Sequence, residues 1–213
     1  MGIGPAALKL YEDLDLKGGS ICELGSQDYV PGPYRGRLYF REIFSSREFM
    51  TRHLGFRSYV CIDLNGEHEA IPLDLNVASA GDLHNRMFDV VTNHGTSEHI
   101  FNQANCFKLI HDLTACDGLM IHILPMQDYS RHGFYNCQPV LFEELAAANR
   151  YQLLRCYGHD DQFGTLLVVA MRKPLIRDFT MPQQRELTAL EMSKRDLWLR
   201  KFRTRATARP KPP

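Results

Sequence analysis

The chain has 213 residues, a length typical of one domain with extensions. Its 44% hydrophobic and 23% charged residues exclude a chain that is disordered as a whole. No apolar run approaches the roughly 18 residues that span a bilayer, and acidic residues interrupt the opening segment where a secretory signal is apolar. The formal net charge is zero, but twelve basic and four acidic residues lie from Arg172 onward. These features predict a cytoplasmic protein with an acidic body, a basic tail and no membrane partner.

Apolar periodicity predicts strands that alternate with helices along most of the chain. The predicted helices cover residues 6–14, 43–54, 100–113 and 139–149, with a surface helix or turn over residues 79–87. The predicted strands cover residues 20–25, 58–63, 69–75, 88–93, 119–125, 151–158 and 164–173. A loop rich in glycine and proline follows the first strand, and a polar loop follows the fifth.

The order of these elements predicts the fold class. Four of the strands are almost entirely apolar, which is typical of strands buried on both faces of a parallel sheet. The last two strands are joined by a short connection, which favours an antiparallel hairpin. The sequence therefore predicts an α/β fold, a Rossmann-like three-layer sandwich around a mostly parallel seven-stranded sheet with a C-terminal antiparallel hairpin.

Acidic and small residues follow the predicted strands, at the edge of the sheet where open α/β folds bind ligands. These strand ends are Glu23-Leu24-Gly25-Ser26, Asp63-Leu64-Asn65, Asp74-Leu75-Asn76 and residues 93–99. A carboxylate can accept hydrogen bonds from both hydroxyls of a ribose, so Asp63 is a candidate for binding a nucleoside. Alternatively, Asp63 caps a turn with Asn65 and Gly66.

Five segments occur in the same order as the motifs of class I S-adenosylmethionine-dependent methyltransferases and resemble them. The Glu-His pair after the fourth strand resembles the ubiquinone-biosynthesis type of that family. The segments are ICELGS, YVCIDLN, PLDLN, FDVVTNHGTSEH and DGLMIHILP, and the resemblance covers residues 16–172. It implies S-adenosylmethionine as cofactor and methyl transfer to an oxygen or nitrogen of a small molecule or glycan. Together with the apolar spacing and the charge pattern, it predicts an N-terminal helix (1–17), a methyltransferase domain (18–173) and a basic extension (174–213) that is helical and then disordered.

The resemblance implies a set of cofactor contacts. Glu23 and Gly25 match the acidic-x-Gly motif, whose glycine lets the backbone approach the methionine part of the cofactor. Asp63 matches the ribose-binding acid, and Asp74 with the backbone of Leu75 would lie at the adenine edge. The complete implied set is Glu23, Gly25, Ser26, Asp63, Leu64, Asp74, Leu75, Asn93, His94 and Gly95, of which the last three would lie near the sulfonium. Two departures are a single glycine in the first turn and an insertion around residues 29–41.

Three histidines are candidates for the base that removes a proton from the acceptor, because imidazole titrates near neutral pH. They are His94 and His99 after the fourth strand, and His132 in the loop after the fifth. Glu98 and His99 could instead bind a divalent metal, but two adjacent ligands without a third are a weak signal. The sequence therefore predicts no metal, and it predicts that Glu98 begins the helix over residues 100–113, where a carboxylate suits the helix dipole.

The basic tail leaves two other functions open. The tail is predicted to form a short amphipathic helix around residues 197–199, and it could anchor a nucleic acid or a protein that is methylated. TNHG stands where base-methylating enzymes carry an NPPY-type tetrapeptide, which argues against nucleic acid. The single glycine of the first turn would also fit a non-catalytic binding protein of the same fold.

Overall fold

The computed structural model describes residues 2–29 and 45–183 of the chain. The chain divides into a compact unit over Met1–Met181 and a second unit over Pro182–Pro213, and the described helices and strands all belong to the first. The amphipathic helix predicted around residues 197–199 and the predicted disordered end lie outside the described residues. No helix in the described ranges is long and apolar enough to cross a membrane.

Seven strands form one sheet. They are β1 (Ser20–Leu24), β2 (Ser58–Asp63), β3 (Ile71–Pro72), β4 (Phe88–His94), β5 (Thr114–Gln127), β6 (Gln152–Asp160) and β7 (Thr165–Arg172). Their order across the sheet is β3-β2-β1-β4-β5-β7-β6. The first five strands run parallel to one another, while β7 is antiparallel to both β5 and β6. The predicted mostly parallel sheet with a C-terminal antiparallel hairpin is confirmed.

Helices cover both faces of this sheet. They are α1 (Pro5–Asp13), α2 (Ser46–Glu48, continued by a π-helical turn over Phe49–His53), α3 (Gln103–Leu113) and α4 (Pro139–Asn149). Neighbouring residues of a strand point to opposite faces. Ile21 and Val90 accordingly join the core that contains α1, whereas Cys22 and Val91 join the core that contains α3 and α4. The two cores and the sheet between them make the predicted three layers.

The register of the strands brings the ends of β1, β2 and β4 to one level. Leu24 pairs with Ile62 of β2 on one side and with Asn93 of β4 on the other. The next residue along each strand therefore lies at the same edge of the sheet. These three residues are Gly25, Asp63 and His94.

The third strand is shorter than its apolar pattern predicts. Only Ile71–Pro72 pairs with β2, out of the predicted residues 69–75. Pro72 has no backbone N–H to donate to a ladder, and the Asp74 carboxylate accepts a hydrogen bond from the Asn76 N–H at 2.9 Å, which turns the chain away.

The helix after β4 begins later than predicted. Asn102 caps α3 by accepting a hydrogen bond from the Asn105 N–H at 3.2 Å, and it donates to the Asn76 carbonyl at 2.9 Å. These bonds set the start of the helix at Gln103. The prediction that Glu98 begins this helix is therefore wrong, because Glu98 lies in a separate 3₁₀ turn over Ser97–His99.

Candidate functional site

Asp63, the predicted ribose-binding acid, lies at the end of β2. Its Oδ2 accepts a hydrogen bond from the Ser26 N–H at 2.6 Å, so the end of β2 faces the turn after β1. Its Oδ1 accepts from the Asn65 N–H at 3.3 Å, which is the turn cap of the alternative interpretation. Beside it, the Leu64 side chain is 73% exposed and offers apolar surface at the same edge.

Gly25 is required by the close approach of Thr96. Its φ is +83°, and a Cβ there would lie 2.1 Å from the Thr96 Oγ1. The Thr96 hydroxyl donates to the Leu24 carbonyl at 2.8 Å. The glycine after β1 thus accommodates a side chain of this protein, a contact that sequence reasoning missed because no local pattern pairs the two turns.

Glu23 and Asn93 direct their side chains into the protein. The Glu23 carboxylate accepts hydrogen bonds from the Ser46 Oγ at 2.7 Å and the Tyr59 hydroxyl at 2.5 Å, and burial raises the pKa of Glu23 to about 7. The Asn93 side chain donates to the Ser97 Oγ at 2.9 Å and accepts from the Ser97 N–H at 3.0 Å. Both side chains are therefore held by partners inside the protein.

Three other predicted cofactor residues also form hydrogen bonds within the protein. The Leu75 side chain is buried in the core, and its carbonyl accepts a hydrogen bond from the Asn105 side chain at 3.1 Å. The Gly95 N–H donates to the Ile123 carbonyl at 2.9 Å. Asp74 is exposed, and the two hydrogen bonds from Asn76 hold the pKa of its carboxyl below the usual value.

His94 is buried at the end of β4. Its Nε2 lies 3.2 Å from the Tyr11 hydroxyl, and burial lowers its pKa to about 3. The ring is therefore neutral at physiological pH. The role of His94 as a base stays a prediction.

A cavity of about 1100 Å³ opens beside His94. The N-terminal residues before α1, the loop after β5 and the β6–β7 turn enclose it, and His94, Asp128, Tyr129, Arg131, His132 and Phe163 are among its lining residues. Small-molecule sites commonly have volumes of about 300–1,000 Å³, so the cavity is large enough for such a ligand. His132 lines it, whereas Phe142, on the helix that follows the same loop, packs in the core against Phe107.

Glu98 and His99 lie beside His132, which is one of the residues that line this cavity. The Glu98 Oε1 lies 3.3 Å from the His132 Nε2 and 3.7 Å from the His99 Nε2. The Glu98 side chain is fully buried, while the His99 and His132 side chains are 46% and 33% exposed. The sequence offered two adjacent ligands without a third, and the structure brings His132 to them.

Backbone contacts hold the loop after β5 against the Glu98 turn. The Glu98 carbonyl accepts hydrogen bonds from the Phe134 N–H at 2.8 Å and the Tyr135 N–H at 3.3 Å. A Cβ on Gly133 would lie 2.8 Å from the same carbonyl, so this approach requires glycine. These contacts place His132 beside Glu98.

No protein-family model and no curated protein sequence matches the chain. Solved structures do match. The 1,6-didemethyltoxoflavin-N1-methyltransferase of Burkholderia thailandensis, with bound 1,6-didemethyltoxoflavin and S-adenosylhomocysteine, has a TM-score of 0.57 at 18% identity, over 80% of this chain and 77% of that one. The N-methyltransferase NodS of Bradyrhizobium japonicum WM9 has a TM-score of 0.53 at 13% identity, over 80% and 94%. The DhpI complex with SAH has a TM-score of 0.51 at 17% identity, over 79% and 83%.

The chain has the fold of class I S-adenosylmethionine-dependent methyltransferases. The fold predicted from its motifs is therefore confirmed. At these levels of identity the likeness shows the fold alone, and the chemistry has to be argued from the residues of this chain.

Proposed function

We propose that this protein is an S-adenosylmethionine-dependent methyltransferase that acts on an oxygen or nitrogen of a small molecule or sugar. The observation that carries the proposal is the position of Asp63, whose carboxylate ends β2 and faces the turn after β1. That edge is where open α/β folds bind their ligands. Two of the structures with a similar fold contain S-adenosylhomocysteine.

The residues at this edge fit the cofactor. The Asp63 carboxylate has lone pairs for two ribose hydroxyls, and the exposed Leu64 beside it would cover an adenine ring. When bound, the cofactor supplies a methyl group on a positively charged sulfonium. The cavity beside His94 would hold the acceptor, which must approach the methyl carbon in line.

The three histidines divide between positioning and proton transfer. His94, which is buried and neutral, hydrogen-bonds Tyr11 and would orient the acceptor without taking its proton. His99 and His132 are partly exposed, so a proton could pass from either to solvent, and His132 lines the cavity. These two are the candidates for accepting a proton from the acceptor.

One observation favours a second candidate function. Thr96 fills the space beside Gly25, where the family's glycine lets the backbone approach the cofactor. A protein of this fold that binds another ligand and transfers no methyl group would tolerate that contact. Binding of S-adenosylhomocysteine separates the two functions.

Isothermal titration of the full chain with S-adenosylhomocysteine tests the proposal. The wild-type protein should bind, and Asp63→Asn should bind roughly tenfold to hundredfold more weakly, because a hydrogen bond to a charged group contributes about 1.5–3 kcal/mol. Asp117→Asn is the matched control, since Asp117 is an exposed aspartate with a φ of 59° that asparagine tolerates.

Two results would contradict the proposal. Unchanged affinity in Asp63→Asn, with an unchanged melting temperature, would remove Asp63 from the site. A wild-type protein that binds no S-adenosylhomocysteine would favour the non-catalytic function.

A further inference from the structure

Three potential metal ligands converge beside the cavity, which one of them, His132, lines. One donor atom from each of Glu98, His99 and His132 lies within 4.8 Å of the other two. Donors about 2.1 Å from a shared tetrahedral ion are about 3.4 Å apart. The two distances from the Glu98 Oε1, 3.3 Å to His132 and 3.7 Å to His99, bracket that value.

The Glu98 carboxylate is an independent sign of a ligand. It is fully buried, and among the described residues neither of its oxygens accepts a hydrogen bond. Burying a carboxylate that accepts no hydrogen bond is costly, and native proteins rarely tolerate it. A cation between the carboxylate and the two imidazoles would satisfy it.

We propose that Glu98, His99 and His132 bind a divalent transition-metal ion beside the cavity. Two imidazoles and one carboxylate favour Zn²⁺, Mn²⁺, Fe²⁺ or Co²⁺ over Mg²⁺ and Ca²⁺, which prefer oxygen ligands alone. The ligand positions are already held, because the Glu98 carbonyl binds the loop that carries His132.

The geometry also indicates what the ion would do. Three protein ligands leave at least one coordination position open, and His132 places it beside the cavity. An acceptor hydroxyl bound there would lose its proton more easily, because a divalent ion stabilises the oxyanion. This part rests on the proposed methyl transfer, and His99 and His132 would then act as ligands instead of proton acceptors.

Titration of the full, untagged chain with Co²⁺, followed by visible absorption, tests the site without any cofactor. The wild-type protein should bind one equivalent of Co²⁺, and Zn²⁺ should displace it. Glu98→Gln and His132→Ala should each weaken binding by about tenfold or more, since loss of outer-shell partners alone costs 10–100-fold. His84→Asn is the control, because His84 is an exposed histidine in a turn outside the cluster, with a φ of 54°.

The inference is overturned if the wild-type protein binds no Co²⁺ or Zn²⁺, or if both variants bind as well as His84→Asn. His132 lies in a partly exposed loop, so His132→Ala decides the matter even if Glu98→Gln does not fold. Titration with S-adenosylhomocysteine is a separate measurement. A chain that binds S-adenosylhomocysteine but no metal contradicts this inference alone, and a chain that binds metal but no S-adenosylhomocysteine contradicts the proposed function alone.

Discussion

Glu23 is a buried acid that two hydroxyl groups hold in place. Ser46 and Tyr59 donate to it from α2 and β2, yet burial still raises its pKa from 4.5 to about 7. The folded protein therefore keeps a proton on Glu23 that the unfolded chain releases at lower pH. This contribution to stability is complete below about pH 4.5 and is lost as the pH rises through about 7.

Glu23→Gln should remove that pH dependence. A shift of this size corresponds to about 3 kcal/mol, so the difference in unfolding free energy between wild type and variant should change by up to that amount between about pH 4.5 and pH 7.5. Urea unfolding at several pH values measures it. Glu143→Gln, which replaces an exposed glutamate on α4, is the control. If the Glu23→Gln and wild-type curves run parallel across this range, Glu23 is charged in the folded protein.

At the scale of elements, α3 is held at its C-terminal end by a lysine from another part of the chain. Lys173 is buried after β7, and its ammonium group donates to the His111 carbonyl at 2.8 Å and to the Thr114 carbonyl at 2.9 Å. The last carbonyls of a helix lack partners within it and carry its negative end. The cation therefore joins the end of the sheet to the end of α3.

Lys173→Met should destabilise the protein by roughly 1.5–3 kcal/mol, because it removes charged hydrogen bonds and leaves buried carbonyls without a partner. Lys108→Met on α3 is the matched control, since Lys108 pairs with Asp112 on the exposed side of that helix. An exposed pair one turn apart contributes only about 0.3–0.5 kcal/mol. Denaturant unfolding compares the two variants. If both variants lose the same free energy of unfolding, Lys173 contributes no more to stability than a surface charge does.

At the scale of the whole molecule, the chain after β7 remains attached to the body for several residues. The Thr180 N–H donates to the Asn149 side chain at 2.7 Å, and Phe179 packs on the His111 ring. The predicted boundary at residue 173 therefore precedes contacts that hold residues up to 180 against α3 and α4. The helical and disordered parts of the extension stay predictions.

Removal of residues 206–213 should change neither the melting temperature nor the affinity for S-adenosylhomocysteine, because this segment has no apolar anchor. Thermal unfolding and isothermal titration of the truncated chain measure both. A large fall in the melting temperature would show that the terminus stabilises the fold, and a large fall in affinity would show that it belongs to the binding site. Salt-sensitive binding of nucleic acid that disappears on truncation would favour the alternative that uses the basic tail.

The elements that the sequence predicted well are those whose pattern is local. Continuous apolar runs identify buried strands, so β2 and β7 lie close to their predicted ranges. The predicted ends of elements are wrong where a side chain replaces the backbone as a hydrogen-bond partner. Asp74 ends β3 early, and Asn102 delays the start of α3 until Gln103.

By itself, the sequence determined the fold class and the residues that reach the ligand edge of the sheet, because parallel strands bring their carboxyl ends together. Only the tertiary structure decided what each polar side chain contacts there. Tyr11 meets His94 across 83 residues, and His132 reaches Glu98 because the loop after β5 folds onto the preceding turn. Such partners depend on how distant elements pack, and no local pattern of residues encodes that packing.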